Sequence, residues 1–204
     1  MTLTTPFTEL EAVNEMLASI GQAPVNTLAN TGIGDVNIAR SELAKATRFV
    51  QLQGFAFNTD KGYVFQPQAG TNLIPAPSGM LRFDPCDRTR NISVRTHSSG
   101  QLVLWDADAL SFEFSEPFTG TIVWGFGFEN LPESARAYIA IAAARKFQIR
   151  FVGSRELDLF NAEDEKRAWA LLQRDERAVS DTNLFRKSPS LARAYNRSRW
   201  MRTP

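Results

Sequence analysis

The sequence predicts an α+β protein: a four-helix bundle interrupted by an inserted antiparallel β-sandwich or barrel module and followed by an extended C-terminal tail. Three observations carry that expectation. Towards both ends of the chain, apolar residues recur every three to four positions, the spacing that lines one face of an α-helix. Between Phe55 and Gly127 the pattern changes to short alternating runs, as in half-buried strands, separated by Gly, Pro, Asp and Ser clusters. At 204 residues the chain can bury a core as one compact domain or two small ones. The domain expectation is a helical bundle from residues 1–54 and 131–180, an inserted β domain at 55–130, and a basic docking tail at 181–204.

Each element has a local cause. Helix one spans residues 8–20: Thr8 and Glu11 form a capping box, and Leu10, Val13, Leu17 and Ile20 form an apolar stripe. Gly21 supplies a left-handed residue after the helix, and Pro24 prevents continuation. Helix two spans residues 35–53, with Val36, Ala39, Leu43, Ala46 and Val50 on one face. The strand candidates are GYVFQ, TNLIP, MLRFD, NISVRT, QLVLWD, SFEF and GTIVWGF. Helix three, residues 132–152, begins at Pro132, whose missing amide costs nothing in a first turn. Its Ala140, Ala142, Ala143 and Ala144 leave room for close packing, and Gly153 ends it. Asn161 and Asp164 offer a second capping signal, so the fourth helix is expected to break there.

Composition narrows the function classes. Hydrophobic content of 43%, charged content of 22% and a net charge of +1 describe an ordinary globular chain without a global basic field for nucleic acid. One cysteine, Cys86, excludes an intramolecular disulfide and points to synthesis in a reducing compartment. MTLTTPFTELE lacks the basic start and apolar core of a secretory signal, and no apolar run is long enough to span a membrane.

The inventory for chemistry is thin, and the expectation is no catalytic residue, no metal and no cofactor. The sole histidine, His97, falls in the turn-like RTHSSGQ, where Ser98 and Ser99 are too near in sequence to sit easily at its ring nitrogen. One His and one Cys cannot supply a zinc site. Asp106 and Asp108 open like a calcium loop, but Ser111 and Pro117 occupy the places of its glycine and bidentate glutamate. GFGFEN lacks the Lys-Ser/Thr ending of a phosphate loop. One alternative function remains: Asp84, Asp87, Asp106, Asp108, Glu113 and Glu116 crowd the β segment beside Trp105 and Phe112, as a carbohydrate-binding or weakly glycan-hydrolysing site would require. A DNA-binding regulator is a poorer fit, because the turn between the first helices is too long for helix-turn-helix geometry.

Local charge singles out the end of the chain. Residues 181–204 hold Arg186, Lys187, Arg193, Arg197, Arg199 and Arg202 against Asp181, with Tyr195 and Trp200 interleaved. Too poor in aliphatic residues to fold alone, the segment reads either as a solvated chain end or as a docking tail whose Arg and aromatic residues anchor a partner.

Three ordered blocks carry a family likeness. AVNEMLASIGQAPV, residues 12–25, includes Ile20, Gly21 and Pro24; ARSELAKATRFVQLQGFAFNTDKG, residues 39–62, includes Gly54, Phe57 and Asn58. The third is LPESARAYIAIAAARKFQIRFVGS, residues 131–154, followed by AEDEKRAWALLQRDE, residues 162–176. In order and spacing these blocks resemble the tail tubular protein A family, the adaptor or gatekeeper proteins of short-tailed phages of the T7 type. Relatives are expected to carry Trp at the place of Phe55, so an aromatic is kept; residues 63–130 and the chain after Val179 carry no such likeness. The resemblance implies a virion structural protein, assembled in the host cytoplasm into the virion tail as a ring of twelve copies. Its implied partners are the portal, a tail nozzle like tail tubular protein B and the tail fibres, with genomic DNA passing through the ring without sequence recognition. It makes Ile20, Gly21, Pro24, Gly54, Phe57 and Asn58 structural signature residues.

Overall fold

The computed structural model describes residues 6–29, Gly32, residues 34–153 and residues 155–187. Its elements are α1 (Glu9–Ser19), α2 (Gly34–Gln51), β1 (Thr59–Phe65), β2 (Met80–Pro85), β3 (Ile92–Thr96), β4 (Leu102–Asp106), β5 (Phe118–Trp124), α3 (Glu133–Phe151) and α4 (Arg155–Lys187). Short 3₁₀ turns at Ala56–Asn58 and Phe128–Asn130 flank the strands. They form two compact units: a helical one, from the described residues up to Ala46 and from Leu131 onward, and a β unit at Thr47–Asn130. Among the described residues, no helix is long and apolar enough to cross a membrane.

In the helical unit, α1 begins with the expected capping box. The Thr8 amide donates to Glu11 Oε2 at 2.8 Å, and the Glu11 amide donates to Thr8 Oγ1 at 3.2 Å. The buried face of α1 is Ala12, Val13, Met16 and Leu17. Leu10 and Ile20 of the expected stripe sit at its margins, because the buried face is centred on Ala12 and Met16 together with Val13 and Leu17. On α2 the expected stripe holds throughout: Val36, Ala39, Leu43, Ala46 and Val50 are all buried. Pro132 caps α3 from just outside the helix, its carbonyl accepting from the Ala135 and Arg136 amides at 3.0 Å each. The segment before α1 is strapped to α3. The Phe7 amide donates to Glu133 at 2.9 Å, and the Arg136 guanidinium donates to the Phe7 carbonyl at 3.0 Å.

The expected break in the fourth helix does not occur. α4 is continuous from Arg155 to Lys187. Asn161, read as a cap, instead donates its side-chain amide to Gln148 of α3, so the group that could have competed with the helix backbone is engaged elsewhere. The helix also runs past Asp181 to Lys187, where the tail was expected to be extended already.

The β unit holds two small antiparallel sheets: a three-stranded one in the order β1-β5-β2 and a two-stranded one of β3 and β4. They do not close into a barrel, which corrects the barrel form of the expectation. TNLIP and SFEF are not strands but isolated bridges, Leu73 to Glu113 and Pro75 to Val103. Pro75 has no amide to donate, and a ladder cannot propagate through it. The core packs Phe65, Ile74, Leu104, Phe114, Phe118 and Ile122. Phe65 stacks on Phe118 at 4.9 Å and tilts against Phe83 at 5.4 Å. Burying each such side chain contributes about 1.5–3 kcal/mol.

Candidate functional site

The residues expected as family signatures fall at two backbone devices, one in each unit. At the end of α1, the Gly21 amide donates to Ala18 O at 3.0 Å and the Gln22 amide to Leu17 O at 3.0 Å. This crossed pair needs a left-handed residue, and Gly21 has φ +77°. Ile20 is the cap residue before it. Beyond Pro24 the chain is held by Asn14, whose side chain donates to Val25 O at 3.0 Å and accepts from Val25 N at 2.8 Å.

The second device lies where α2 meets the strands. Gln51 and Asn58 are 0% and 1% exposed, and neither is idle. Gln51 brackets one residue, donating to Phe126 O at 2.9 Å and accepting from Phe126 N at 2.8 Å, as a neighbouring strand would. Asn58 accepts from the Phe55 amide at 2.8 Å and donates to Gln51 O at 3.0 Å and Trp124 O at 2.7 Å. The end of α2, the 3₁₀ turn and the exit of β5 are therefore tied by two neutral amides. Gly54 makes the bend between them at φ +78°, where a Cβ would come within 2.9 Å of the Arg82 guanidinium and 3.3 Å of Thr59 and Val123. Phe57 stacks on Phe55 at 5.4 Å, so the aromatic at 55 is a packing partner of this joint. Gln51 was absent from the sequence expectation; the available signal was a polar residue next to Val50 at the buried end of the α2 stripe.

The docking residues stand differently. Arg186 and Lys187 are in the last turn of α4, whereas Arg193, Tyr195, Arg197, Arg199, Trp200 and Arg202 lie outside the described residues.

The acidic β loops are built from their own carboxylates. Asp87 accepts from the Thr89 amide at 3.0 Å and its hydroxyl at 2.7 Å, which hold its carboxyl below the usual range. Asp106 Oδ1 accepts from the Asp108 and Ala109 amides at 3.0 Å each, and Arg90 stands 3.5 Å from Oδ2. The Ala109 amide leads in lowering the Asp106 pKa. Asp108 in turn accepts from the Asn91 amide at 3.0 Å. These carboxylates cap turns. Trp105 is no open sugar platform either: Arg95 covers its face at 4.7 Å, Phe112 meets it edge-on at 4.5 Å, and its indole nitrogen is enclosed.

His97 corrects one expectation. Ser99 Oγ does lie 3.0 Å from His97 Nδ1, because the hairpin closes tightly between the His97 amide and Gln101 O. The Ser99 amide also points at Nδ1, at 3.3 Å, so that nitrogen serves as an acceptor within the turn.

The helical unit contains a feature the sequence did not announce. Arg145 of α3 forks onto Asp158 at 2.6 and 3.2 Å and reaches Glu165 at 2.7 Å, both on α4. These bonds raise the Arg145 pKa and lower that of Asp158. Tyr138 packs on Trp169 at 4.9 Å beside them. An open groove of about 530 Å³ adjoins this cluster; α1, α3 and α4 all line it, with Ala137, Ile141, Ala168 and Leu171 on its walls and Glu15, Asp164 and Arg167 among its polar residues. Glu15 makes no ion pair among the described residues, and desolvation followed by repulsion from Glu11 raises its pKa.

A family model described as tail tubular protein matches residues 10–182. Tail tubular protein A of Klebsiella phage KP34 is 25% identical over 193 residues, covering 95% of this chain and 98% of that protein. The family is one of tail structural proteins and not of enzymes. The chain therefore belongs to the tail tubular protein family and is a structural component of a bacteriophage tail.

Proposed function

We propose that this tail protein is an adaptor: twelve copies close into a ring between the portal and the tail nozzle, forming part of the DNA ejection channel and a platform for tail fibres. The observation that supports this reading is a family match that runs through both units, from residue 10 to residue 182. A ring needs one face of each copy to dock on a different face of the next. The chain has apolar residues to spare in both units: Ile149, Phe151 and Val152 are exposed at the end of α3, and Leu102 and Leu110 in the β unit. Leu110, at φ +52°, stands 74% exposed on the turn that Asp106 builds. A net charge of +1 suits a conduit, since a strongly basic wall would hold passing phosphates.

In the same reading, assembly takes place in the host cytoplasm. The helical residues carry the ring, the β unit is an inserted module, and the basic end of the chain docks on the portal or an adjacent copy. Arg186 and Lys187 would bring that end to the partner; Tyr195 and Trp200 would fill apolar pockets there, with Arg193, Arg197, Arg199 and Arg202 pairing to carboxylates. Imaging the purified chain mixed with its portal tests the proposal. Rings of twelve seated on the portal are the expected result, and a chain that stays monomeric and unattached overturns it. Removing the residues after Lys187 should weaken attachment, and Trp200→Ala should weaken it more than Arg202→Ala, because rim charges contribute little.

A further inference from the structure

We propose that the free chain pairs with a second copy of itself along β3, the two strands running antiparallel about a two-fold axis at Val94. The outer edge of β3 is open. On β4, the Leu104 amide donates to Ile74 O and the Leu102 carbonyl accepts from the Ala76 amide, both at 2.9 Å. Leu102 and Leu104 thus face away from β3, and Val103 and Trp105 bond to Arg95 and Ser93, their partners in register. The His97 amide continues that row onto Gln101 O at 2.8 Å. The alternate residues Ile92, Val94 and Thr96 therefore turn their amides and carbonyls outward, where nothing among the described residues meets them. The other strands with a neighbour on one side are blunted. β1 carries an extra residue at Gly62, with φ +77°, and β2 carries one at Leu81 and ends in Pro85. β3 has an unbroken register, no proline and no bulge. Its one charge, Arg95, lies over Trp105 of its own sheet, 4.7 Å from the ring, instead of guarding the edge.

The sequence of β3 is complementary to a copy of itself. With Val94 on the axis, Val94 meets Val94 and Ile92 meets Thr96, so all three outward residues exchange amide for carbonyl. β-Branched side chains then stand opposite one another, and Arg95 lies across from Ser93. Moving the axis to Arg95 would set two guanidiniums face to face, and moving it to Ser93 would leave Thr96 beyond the partner's strand. Pairing also turns two two-stranded sheets into one of four strands, past the size at which a hairpin alone is marginal. An edge of five residues is small beside a standard interface, so the pair is weak and forms at high chain concentration. The inference goes beyond the adaptor reading and is independent of it. This contact joins one edge to itself, whereas a ring joins two different faces.

The test mixes two full-length chains, Ser93→Cys and Arg95→Cys, under mild oxidation at high concentration. Each also carries Cys86→Ser, which leaves the added thiol as the sole one. In the proposed register, positions 93 and 95 of opposite copies have Cα atoms about 4.5 Å apart, within disulfide range. Like positions are about 8 Å apart and out of range. Mixed 93–95 pairs that dominate over like pairs are the expected result. Linked pairs in the proportions of a chance mixture, or no linked pairs, overturn the proposal. Val94→Pro, added to both chains, removes an outward amide and leaves the β3–β4 ladder whole. Val94→Lys instead sets two cations together on the axis without touching the backbone. Either change should cut the mixed-pair yield about fivefold or more. An undiminished yield from chains that keep their far-UV circular dichroism would equally sink the idea. Ring formation on the portal is read separately by imaging, and neither outcome here decides it.

Discussion

The two units solve the same problem, joining elements distant in sequence, with opposite chemistry. The β unit uses neutral, fully buried amides: Gln51 and Asn58 satisfy backbone groups of Phe55, Trp124 and Phe126. The helical unit uses charge at a half-exposed surface, where Arg145 gathers Asp158 and Glu165. The difference teaches where rigidity resides. Removing a buried partner strands donors and acceptors away from water, whereas an exposed ion pair exchanges its partner for solvent at small cost.

The largest effect should therefore come from Asn58→Ala. It leaves the Phe55 amide and the Gln51 and Trp124 carbonyls without their partner, and about 3 kcal/mol of stability should be lost in denaturant unfolding. A loss below about 1 kcal/mol would show that water replaces the side chain there, and the contrast with the ion pairs would collapse.

Glycine substitution sharpens the same comparison. Gly54→Ala meets both a left-handed backbone and neighbours at 2.9–3.3 Å, so about 2 kcal/mol is expected. Gly21→Ala meets only the backbone term, with open space around it, and about 1 kcal/mol is expected. Equal losses would mean that Arg82 simply moves aside. Arg145→Ala should cost less still, about 0.5 kcal/mol, and the loss should shrink in high salt. A salt-independent loss would assign Arg145 a packing role instead.

The smallest effects are in pH. Glu11, Asp87, Asp106 and Asp158 have folded-state pKa values below their unfolded ones. Their contribution is complete above the unfolded value, about pH 4, and is lost as pH falls from there through the folded values. Glu15 has the opposite sign: its raised pKa makes its charge unfavourable to folding near neutrality, and stability recovers as pH falls through that value. Glu15→Gln should stabilise the chain slightly at pH 7 and lose that advantage below about pH 4, measured as midpoint shifts in parallel melts. A destabilised variant at pH 7 would mean that the Glu15 carboxylate already holds a cation.

Much of the fold was legible because local physics dictates it. The Thr8–Glu11 box and the Gly21 stop involve residues within about one turn, and each step of the α2 stripe spans only three or four residues, so spacing in the sequence is spacing in space. Gly21, Gly54 and Asn58 were singled out by the family likeness, but the bonds they make were not. That Asn58 reaches Trp124, or Gln51 reaches Phe126, depends on closing a loop of more than sixty residues. The acidic β loops misled for a related reason. Composition shows Asp87, Asp106 and Asp108 as a cluster of carboxylates, and only geometry shows them turned onto nearby amides.

By itself, then, the sequence determined the alternation of helical and β segments, the start and stop of α1, the inward face of α2 and the family of the chain. These follow from periodicity, capping and ordered motifs, all of which act over a few residues. Tertiary structure decided that α4 stays unbroken at Asn161, that the strands form two small sheets, and that Arg145 and Gln51 become joints. For Asn161, Arg145 and Gln51 the outcome turns on a polar group choosing between a neighbour in sequence and one brought close by folding. At fully buried Gln51, burial settles that choice, because an unsatisfied donor costs more than a local preference.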